Sequence, residues 1–262
     1  MVQIQHKRAS QGVHAYAKTD LVWNTTEKKG MSLAAVRASR EDGQFLGYLN
    51  FERFAETGVH QHLGPAFSYF LEGGLSDFQG SAVAGEMGIN LEGATHSAIA
   101  YASTLMASRL EAPVIYPSEE SVRGEVLHTG AKPGEIVNHA PEMMPDINIP
   151  LESLKWQGTV HGGLQRRLIF DYKETEFDRR SSQIRLLPYT KLPTFFTNAP
   201  MDIFVIGGDL TVSGESAIGG DFMVLDEGAR ADFSTEFGCL ALIWSEAPVR
   251  WHDADFPDPF GF

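Results

Sequence analysis

Short apolar runs separated by glycine dominate the hydrophobic pattern of this chain. In the segment DIFVIGGDLTVSGESAIGGDFMVLDEG (202–228), the runs FVI, DLTV and DFMVL have the length of strands, and Gly recurs every five to eight residues. The apolar period of about 3.6 residues and the end caps that are typical of helices are missing. The pattern therefore predicts short antiparallel strands joined by tight turns.

The same pattern occurs twice along the chain, as an internal repeat. The matching segments are LVWNTTEKKG (21–30) with LKWQGTVHGG (154–163), FLEGGLSDFQGSAVAG (70–85) with FVIGGDLTVSGESAIGG (204–220), and EAPV (111–114) with EAPV (246–249). The offset between partners is 133 to 135 residues, so the register drifts by only two residues over some ninety. Such a constant offset indicates two homologous units.

The repeat also predicts how the domains are organised. We expect an N-terminal unit over 18–116 and a C-terminal unit over 151–251, joined by a linker over 117–150 that is rich in Pro, Glu and Gly. The Ala-rich segment 96–112 has a composition compatible with a helix. Its end, LMASRLEAPV, matches LALIWSEAPV in the second unit, which has the character of a strand, so we predict strands in both units. A tandem of small antiparallel barrels or sandwiches follows.

Composition and charge narrow the class of protein. The 262 residues include 43% apolar and 21% charged side chains, which is an ordinary globular balance and excludes disorder. The net charge of −13 argues against nucleic acid or an anionic membrane as partner. Cys239 is the single cysteine, which excludes an internal disulfide and a Cys-based zinc site. Without a leader-like apolar segment or a run of about 18 apolar residues, the expected location is the cytoplasm.

Two closely spaced histidines are the first candidate for chemistry. His60 and His62 in GVHQHLG are separated by one residue, so on a strand both imidazoles point to one side, about 6.5–7 Å apart along the backbone. Two such imidazoles reach one metal ion at about 2.0–2.2 Å. His96 follows after three Gly-punctuated strands, where an antiparallel neighbour returns beside the first pair. The alternative reading is that these are ordinary surface or core histidines.

With its glycines, this pattern resembles the cupin superfamily, whose first motif is G-x5-H-x-H-x3,4-E-x6-G and whose second motif ends in P-x-G-x-x-H. His60, His62 and Gly73 fit the first motif, and Gly93 and His96 fit the second. The intervening GPAFSYFLEG and EGATH segments are most similar to ChrR-like cupins, a group that includes three-histidine dioxygenases of diketones and hydroxyacetophenones. The duplication resembles a bicupin. The resemblance implies an all-β fold of tandem double-stranded β-helix (jelly-roll) barrels, with His60, His62 and His96 as metal ligands.

The sequence departs from the cupin pattern at three motif positions. The motif glutamate falls on Ala66 or Phe67, the first Gly on Phe54 and the Pro on Leu91. A site of three neutral imidazoles keeps the full charge of the metal and leaves positions for an anionic oxygen substrate and O2, like the facial triad of non-haem iron. The resemblance favours Fe(II), and the same ligands would also hold Zn, Ni or Mn.

The second unit is expected to lack this site. The offset places Thr194, Phe196 and Ala231 at the positions of the three histidines, and none of them is a good metal ligand. We therefore expect one metal site per chain. The histidines outside the cluster are interpreted as solvated loop residues: His128, His139, His161 and His252.

Three aromatic residues are candidates for the lining of a pocket beside the histidines. They are Phe67, Tyr69 and Tyr101, although aromatic residues in small barrels are core residues by default. Phe67 and Tyr69 share one face of a regular strand. The sequence leaves open which face points inward.

The resemblance implies three classes of function. The first is an Fe(II) dioxygenase that uses O2 to cleave a C–C bond in a small ketone, diketone or hydroxyaryl ketone. The second is a non-redox isomerase or lyase with Zn, Ni or Mn, and the third is a ChrR-like ligand-sensing cupin. A small-molecule substrate is expected for the enzymes, and a homodimer is compatible with the fold. No catalytic residue beyond the metal ligands is predicted.

Overall fold

The computed structural model describes residues 12–39, 41–78, 80–116, 146–171, 180–252 and 260. These residues form short β-strands and two single-turn 3-10 helices, Lys18–Asp20 and Leu151–Ser153, and no α-helix occurs among them. The predicted all-β fold is therefore confirmed, including strands rather than a helix within 96–112. In the part of the chain described here, no helix is long and apolar enough to span a membrane.

The strands are numbered in chain order. Residues 12–116 contain β1 (Val13–Tyr16), β2 (Trp23–Thr25), β3 (Met31–Ala38), β4 (Phe45–Phe51), β5 (His60–His62), β6 (Ala66–Glu72), β7 (Gly74–Asp77), β8 (Gly80–Val83), β9 (Glu86–Asn90), β10 (Thr95–His96), β11 (Thr104–Leu110) and β12 (Val114–Ile115). Residues 146–251 contain β13 (Asp146–Pro150), β14 (Gln157–Gly158), β15 (Leu164–Asp171), β16 (Arg180–Leu186), β17 (Phe195–Phe196), β18 (Met201–Val212), β19 (Glu215–Ile218), β20 (Phe222–Leu225), β21 (Arg230–Ala231), β22 (Phe233–Ser234), β23 (Cys239–Ser245) and β24 (Arg250–Trp251).

The chain divides into two compact units. The first unit is Leu21–Ser153, and the second combines Met1–Asp20 with Leu154–Phe262. In the first unit a seven-stranded sheet has the order β13-β9-β6-β11-β4-β3-β2, beside a three-stranded sheet β10-β5-β12 and a hairpin β7-β8. In the second unit the large sheet follows β1-β20-β18-β23-β16-β15-β14, with β19 and β22 also paired to β18, and the small sheet is β21-β17-β24.

The unit boundaries differ from those of the predicted segments. Residues 117–145 of the predicted linker lie outside the described residues, and its last five residues form β13, which pairs with β9 in the first unit. Strand β1 precedes the predicted start at residue 18 and pairs with β20 in the second unit. The core of the second unit also includes Phe260, beyond the predicted end at residue 251. Sequence similarity finds the repeats, but it does not show which sheet an edge strand joins.

Residue alternation along the strands separates an interior face from an opposite face in each unit. On β6, Phe70 packs in a core cluster with Phe51 and Met106, so Ser68 shares the interior face with Phe70. Phe67 and Tyr69 lie on the opposite face of the same strand. In the second unit the large interior cluster fills the corresponding space with Ile184, Ile203, Val205, Ile243, Phe195, Trp251 and Phe260, among other residues.

Two glycines fix how the repeats correspond in three dimensions. Gly73 and Gly208 both have left-handed backbone, with φ of +66° and +79°. A Cβ atom on Gly73 would overlap the carbonyl oxygen of Ser103, and one on Gly208 would overlap that of Gly238. The two glycines therefore occupy equivalent positions, where the backbone passes too close to a neighbouring carbonyl group for any side chain. Their offset is one residue longer than in the match from sequence, which paired Gly73 with Gly207.

Candidate metal centre

The first unit brings three histidines together on one face of its small sheet. His60 and His62 lie on β5, and His96 on β10 stands directly opposite His60 in the antiparallel register. Their ligand atoms all lie within 4.8 Å of one another, and Nε2 of His62 is 3.2 Å from Nε2 of His96. The ring centroids are separated by 4.6 to 5.3 Å. The predicted set of three histidines is thus one cluster in the structure.

Two of the three rings are held in place through their Nδ1 atoms. Nδ1 of His60 lies 2.9 Å from the carbonyl oxygen of Gly58, to which it donates as Nδ1–H. Nδ1 of His96 lies 3.1 Å from Oδ2 of Asp77, the last residue of β7, and donates to this carboxylate. A proton at Nδ1 leaves the Nε2 lone pair for a metal ion, and such hydrogen bonds commonly orient histidine ligands.

The cluster is buried, and burial sets its charge state. His60 and His62 are only 7% and 6% exposed. Burial, together with the nearby His96 and Lys28, lowers the pKa of His60 to about 4. Burial and the two neighbouring imidazoles hold the pKa of His62 well below its usual range. Both rings are therefore neutral near pH 7, which is the protonation state that binds a metal.

These residues fit a divalent transition-metal ion. Two nitrogens at about 2.0–2.1 Å from one ion lie about 2.8–3.0 Å apart in octahedral geometry and about 3.3–3.4 Å apart in tetrahedral geometry, and the 3.2 Å between Nε2 of His62 and Nε2 of His96 falls between these values. Among the described residues no carboxylate joins the three imidazoles within the same ligand cluster. Neutral imidazoles suit Zn, Cu, Fe and Ni alike, so the donor set indicates a divalent metal without selecting one.

Besides the histidine cluster, the interior of the first unit contains a pair of hydrogen-bonded serines. Ser68 on β6 and Ser108 on β11 face each other in register, and their Oγ atoms form a 2.9 Å hydrogen bond. Ser108 is fully buried, whereas Ser68 is partly accessible to solvent. Its neighbours on the opposite face, Phe67 and Tyr69, are 2% and 8% exposed, so Ser68 is the most accessible of these three residues.

A lysine and a tyrosine lie at the edge of the cluster. The ring of Tyr116, directly after β12, is 5.8 Å from the ring of His60. The ammonium group of Lys28 lies over the Tyr116 ring, 4.1 Å from its centroid. Burial raises the pKa of Tyr116, so its phenol keeps its proton at neutral pH and remains a hydrogen-bond donor.

The second unit has the same small sheet with different side chains. Strand β17 pairs with β21 and β24, as β5 pairs with β10 and β12, and Phe195 stands opposite Ala231 as His60 stands opposite His96. The backbone N–H of Thr197 donates to Ala229, just as that of His62 donates to Ala94.

The strand register therefore corrects two predicted counterparts of the histidines. Phe195, Thr197 and Ala231 occupy the positions of His60, His62 and His96, rather than the predicted Thr194, Phe196 and Ala231. The error arises because the sequence match paired Gly73 with Gly207 instead of Gly208, which shortens the offset between the units by one residue. The expectation that these positions offer no comparable ligand still holds for the corrected residues.

The aromatic residues predicted to line a pocket lie elsewhere. Phe67 and Tyr69 are on the face of β6 opposite to Ser68, and Tyr101 is 60% exposed in the turn after His96. The aromatic ring that contacts His60 is that of Tyr116. The strand face could not be assigned from the sequence because both faces of β6 carry apolar residues.

Sequence reasoning missed three residues around the cluster: Lys28, Asp77 and Tyr116. The sequence does contain a pattern that points to Tyr116. Both copies of the EAPV motif are followed two residues later by an aromatic residue, Tyr116 in the first unit and Trp251 in the second. Lys28 and His161 likewise occupy equivalent positions in the matched segments 21–30 and 154–163. No local pattern marks Asp77, whose contact with His96 depends on the fold.

Comparisons with known proteins agree with this geometry. Residues 11–112 match the family model of the ChrR cupin-like domain. A search of curated protein sequences finds no match. The structure is similar to that of a proposed dioxygenase from Nostoc punctiforme, with a TM-score of 0.71 and 8% identity over 94% of this chain and 89% of that chain.

Oxalate decarboxylases are further structural neighbours. The enzyme from Lactobacillus farciminis, in a formate complex, has a TM-score of 0.62 and 13% identity over 94% of this chain and 89% of that chain. The enzyme from Bacillus subtilis has a TM-score of 0.58 and 12% identity over 93% and 78% of the respective chains. At this identity the likeness shows the fold alone. Residues 11–112 therefore match a ChrR cupin-like domain, and the predicted resemblance to ChrR-like cupins is confirmed over these residues.

Proposed function

We propose that the protein is a metal-dependent cupin enzyme in which His60, His62 and His96 bind one divalent ion. Its reaction is the oxygen-dependent cleavage of a C–C bond in a small ketone, diketone or hydroxyaryl ketone, with Fe(II) as the native metal. The observation that carries the proposal is the cluster of three imidazoles in the interior of the first unit, which no carboxylate of the described residues joins. A proposed dioxygenase is among the proteins that share this fold, which is compatible with the proposal.

The residues of the chain have distinct tasks in this proposal. The three histidines would hold the ion and would leave its other coordination positions to substrate oxygens and O2. Gly58 and Asp77 hold His60 and His96 in the orientation that binds metal. The Ser68–Ser108 pair gives the interior hydroxyl groups that hydrogen-bond a polar substrate. Iron, when bound, supplies the redox chemistry with O2.

A non-redox lyase or isomerase is the second candidate. Oxalate decarboxylases, which are named for C–C bond cleavage, share the fold over more than nine-tenths of this chain. The three imidazoles hold Zn, Ni or Mn as readily as Fe, and a divalent metal also stabilises a developing carboxylate or enolate charge. This candidate predicts C–C cleavage or proton transfer that continues without O2. A ChrR-like sensor would bind a small molecule without turnover.

One experiment separates these functions. The chain is expressed without added metal, its metal content is determined, and Fe(II)-, Zn-, Ni- and Mn-loaded samples are assayed with a panel of β-diketones, hydroxyaryl ketones and oxalate, with and without O2. The dioxygenase proposal expects O2 uptake stoichiometric with product in the Fe(II) sample alone. Product formed equally under anaerobic conditions would replace it with the lyase. No O2 uptake with any ketone would contradict the dioxygenase assignment.

A further inference from the structure

The turn that carries Lys28 is held in a defined shape. Oγ1 of Thr26 accepts from the backbone N–H of Lys28 at 3.2 Å and lies 3.2 Å from its carbonyl oxygen. The backbone N–H of Met31 also donates to the carbonyl of Lys28 at 3.1 Å. Both backbone groups of Lys28 are therefore fixed between β2 and β3, which limits where its side chain can reach.

The side chain of Lys28 points to the edge of the histidine cluster. Its Nζ lies 4.1 Å from the centroid of the Tyr116 ring, and 3.1 Å from the point where a Cβ atom on Gly58 would stand. Gly58 is the residue whose carbonyl holds His60, and the Tyr116 ring is 5.8 Å from the His60 ring. The ammonium group is thus placed against two immediate neighbours of a proposed metal ligand.

Positive charge exceeds negative charge around Lys28 and the histidine cluster. Among the described residues no carboxylate lies within ion-pair distance of the Lys28 ammonium. Imidazole carries no negative charge, so the two positive charges of a divalent ion held by the three histidines would be offset only in part, by the carboxylate of Asp77 at His96. A loaded site with Lys28 at its edge therefore carries an uncompensated positive charge, within a chain whose net charge is −13. Such a place attracts anions.

The second unit offers a natural comparison. His161 occupies the position of Lys28 in the same turn, with Thr159 making the hydrogen bonds that Thr26 makes in the first unit. Its ring packs against Trp251, the counterpart of Tyr116, at a centroid distance of 4.6 Å and an interplanar angle of 47°. The packing of the turn onto an aromatic ring is thus kept in both units, while the fixed positive charge occurs only beside the histidine cluster. Packing alone does not require a lysine here.

We propose that the Lys28 ammonium, held over Tyr116, is the anion-binding group of the site and recognises a carboxylate or enolate oxygen of the small-molecule substrate. This inference rests on the proposed metal site and names the substrate class as small organic anions. Lys28 is a binding and positioning residue: it holds the charged oxygen beside the metal and takes no part in bond cleavage. A hydrogen bond between an ammonium and a charged oxygen, partly shielded from water, is of the strong charge-assisted kind.

The test measures anion binding without turnover. The full chain is loaded with one equivalent of Zn(II), which is redox-silent, and is titrated by calorimetry with pyruvate and with its neutral analogue pyruvamide. The variants are Lys28→Met, which removes the charge and keeps the stem, Lys28→Arg, which keeps a charge, and Lys29→Met. Lys29 is the exposed neighbour in the same turn, so Lys29→Met is the matched control with the same net charge. Zinc content and the urea unfolding midpoint are recorded for every sample.

We expect Lys28→Met to weaken pyruvate binding about 10- to 100-fold, the range for loss of a hydrogen bond to a charged group. Pyruvamide binding should change little in that variant. Lys28→Arg should keep most of the affinity, and Lys29→Met should behave as the wild type. The inference is overturned if zinc-loaded wild type does not bind pyruvate, if Lys28→Met binds it as tightly as Lys29→Met, or if both probes weaken equally. Failure of wild type to hold zinc would instead overturn the proposed metal site.

Discussion

The two units share a backbone arrangement and differ in what fills it. In the first, the positions facing the interior carry His60, His62 and His96; in the second, the same positions carry Phe195, Thr197 and Ala231. The facing serines of β6 and β11 are replaced by facing isoleucines of β18 and β23. One fold thus supports a polar, partly accessible interior or a closed apolar core. At these positions the difference lies in the side chains, as expected when function is grafted onto a common fold.

The second unit is closed by a residue from the C-terminal segment. The ring of Phe260 packs at 5.3 Å from that of Phe195 and 5.1 Å from that of Phe233, and its carbonyl accepts a hydrogen bond from Ser182. Phe195, Ala231 and Ile203 are completely buried there. Among the described residues, this interior is filled by packed apolar side chains, so we expect the second unit to contribute stability rather than a substrate site.

The largest expected effect is on metal binding, and it should be confined to the first unit. His62→Ala removes a direct ligand, whereas loss of even an orienting partner costs about 10- to 100-fold in metal affinity, so we expect at least that loss. Competition titration with a chelator measures the affinity, and elemental analysis should give about one metal per wild-type chain. Thr197→Val alters the counterpart position and should leave metal content unchanged. Two metals per wild-type chain, or full occupancy in His62→Ala, would show that the site is misplaced.

The next effect is on stability, and it should be confined to the second unit. Phe195→Ala removes a fully buried ring from the core and should lower the free energy of unfolding by about 3–5 kcal/mol, whereas metal content stays the same. His60→Ala, at the equivalent position, should remove the metal and change the stability of the metal-free protein far less, because an imidazole buries less apolar surface than a phenyl ring.

The single thiol reports which unit unfolds in this experiment. Burial raises the pKa of Cys239 to about 12, so the native thiol at pH 8 is almost entirely protonated and unreactive towards thiol reagents. Cys239 belongs to the core cluster of Phe195. Its labelling in urea should therefore shift to lower concentration in Phe195→Ala and stay nearly unchanged in metal-free His60→Ala. An equal shift in both variants would contradict the contrast between the two interiors.

The sequence predicted the strands and the ligands because both depend on local spacing. The Gly-punctuated apolar runs identify strands, and the one-residue gap between His60 and His62 places both on one face. What was missed depends on contacts between distant segments. Nothing in the apolar pattern of β1 shows that it joins β20. Adjacent glycines look alike in sequence, so Gly73 was matched with Gly207 instead of Gly208. This shifted the predicted counterparts of His60 and His62 by one residue. Asp77 meets His96 only through the fold.

A smaller loss of metal affinity is expected on substitution of Asp77, which orients a histidine in the first unit. The apolar core of the second unit has no histidine to orient at the corresponding position. Its carboxylate, like the His96 ring, is nearly buried, at 12% and 11% side-chain exposure. Asp77→Ala frees the His96 ring and should weaken metal binding about 10- to 100-fold, the range for loss of an orienting partner. Asp77→Asn keeps an acceptor oxygen and should weaken it less. Chelator competition measures both variants, and equal affinity in Asp77→Ala and wild type would contradict the orienting role.

The smallest effect concerns the serine pair, and it tests whether the first interior is hydrated. Ser108→Ala breaks one hydrogen bond, but Ser68 is partly accessible and can bond to water instead, so the free energy of unfolding should fall by only about 0.5–1.5 kcal/mol. The converse change, Ile243→Ser, places a hydroxyl in a dry core and leaves a cavity, and should cost about 2–5 kcal/mol. Urea unfolding of the two variants gives the comparison directly. If Ser108→Ala costs as much as Ile243→Ser, the first interior is as tightly packed at this position as the second.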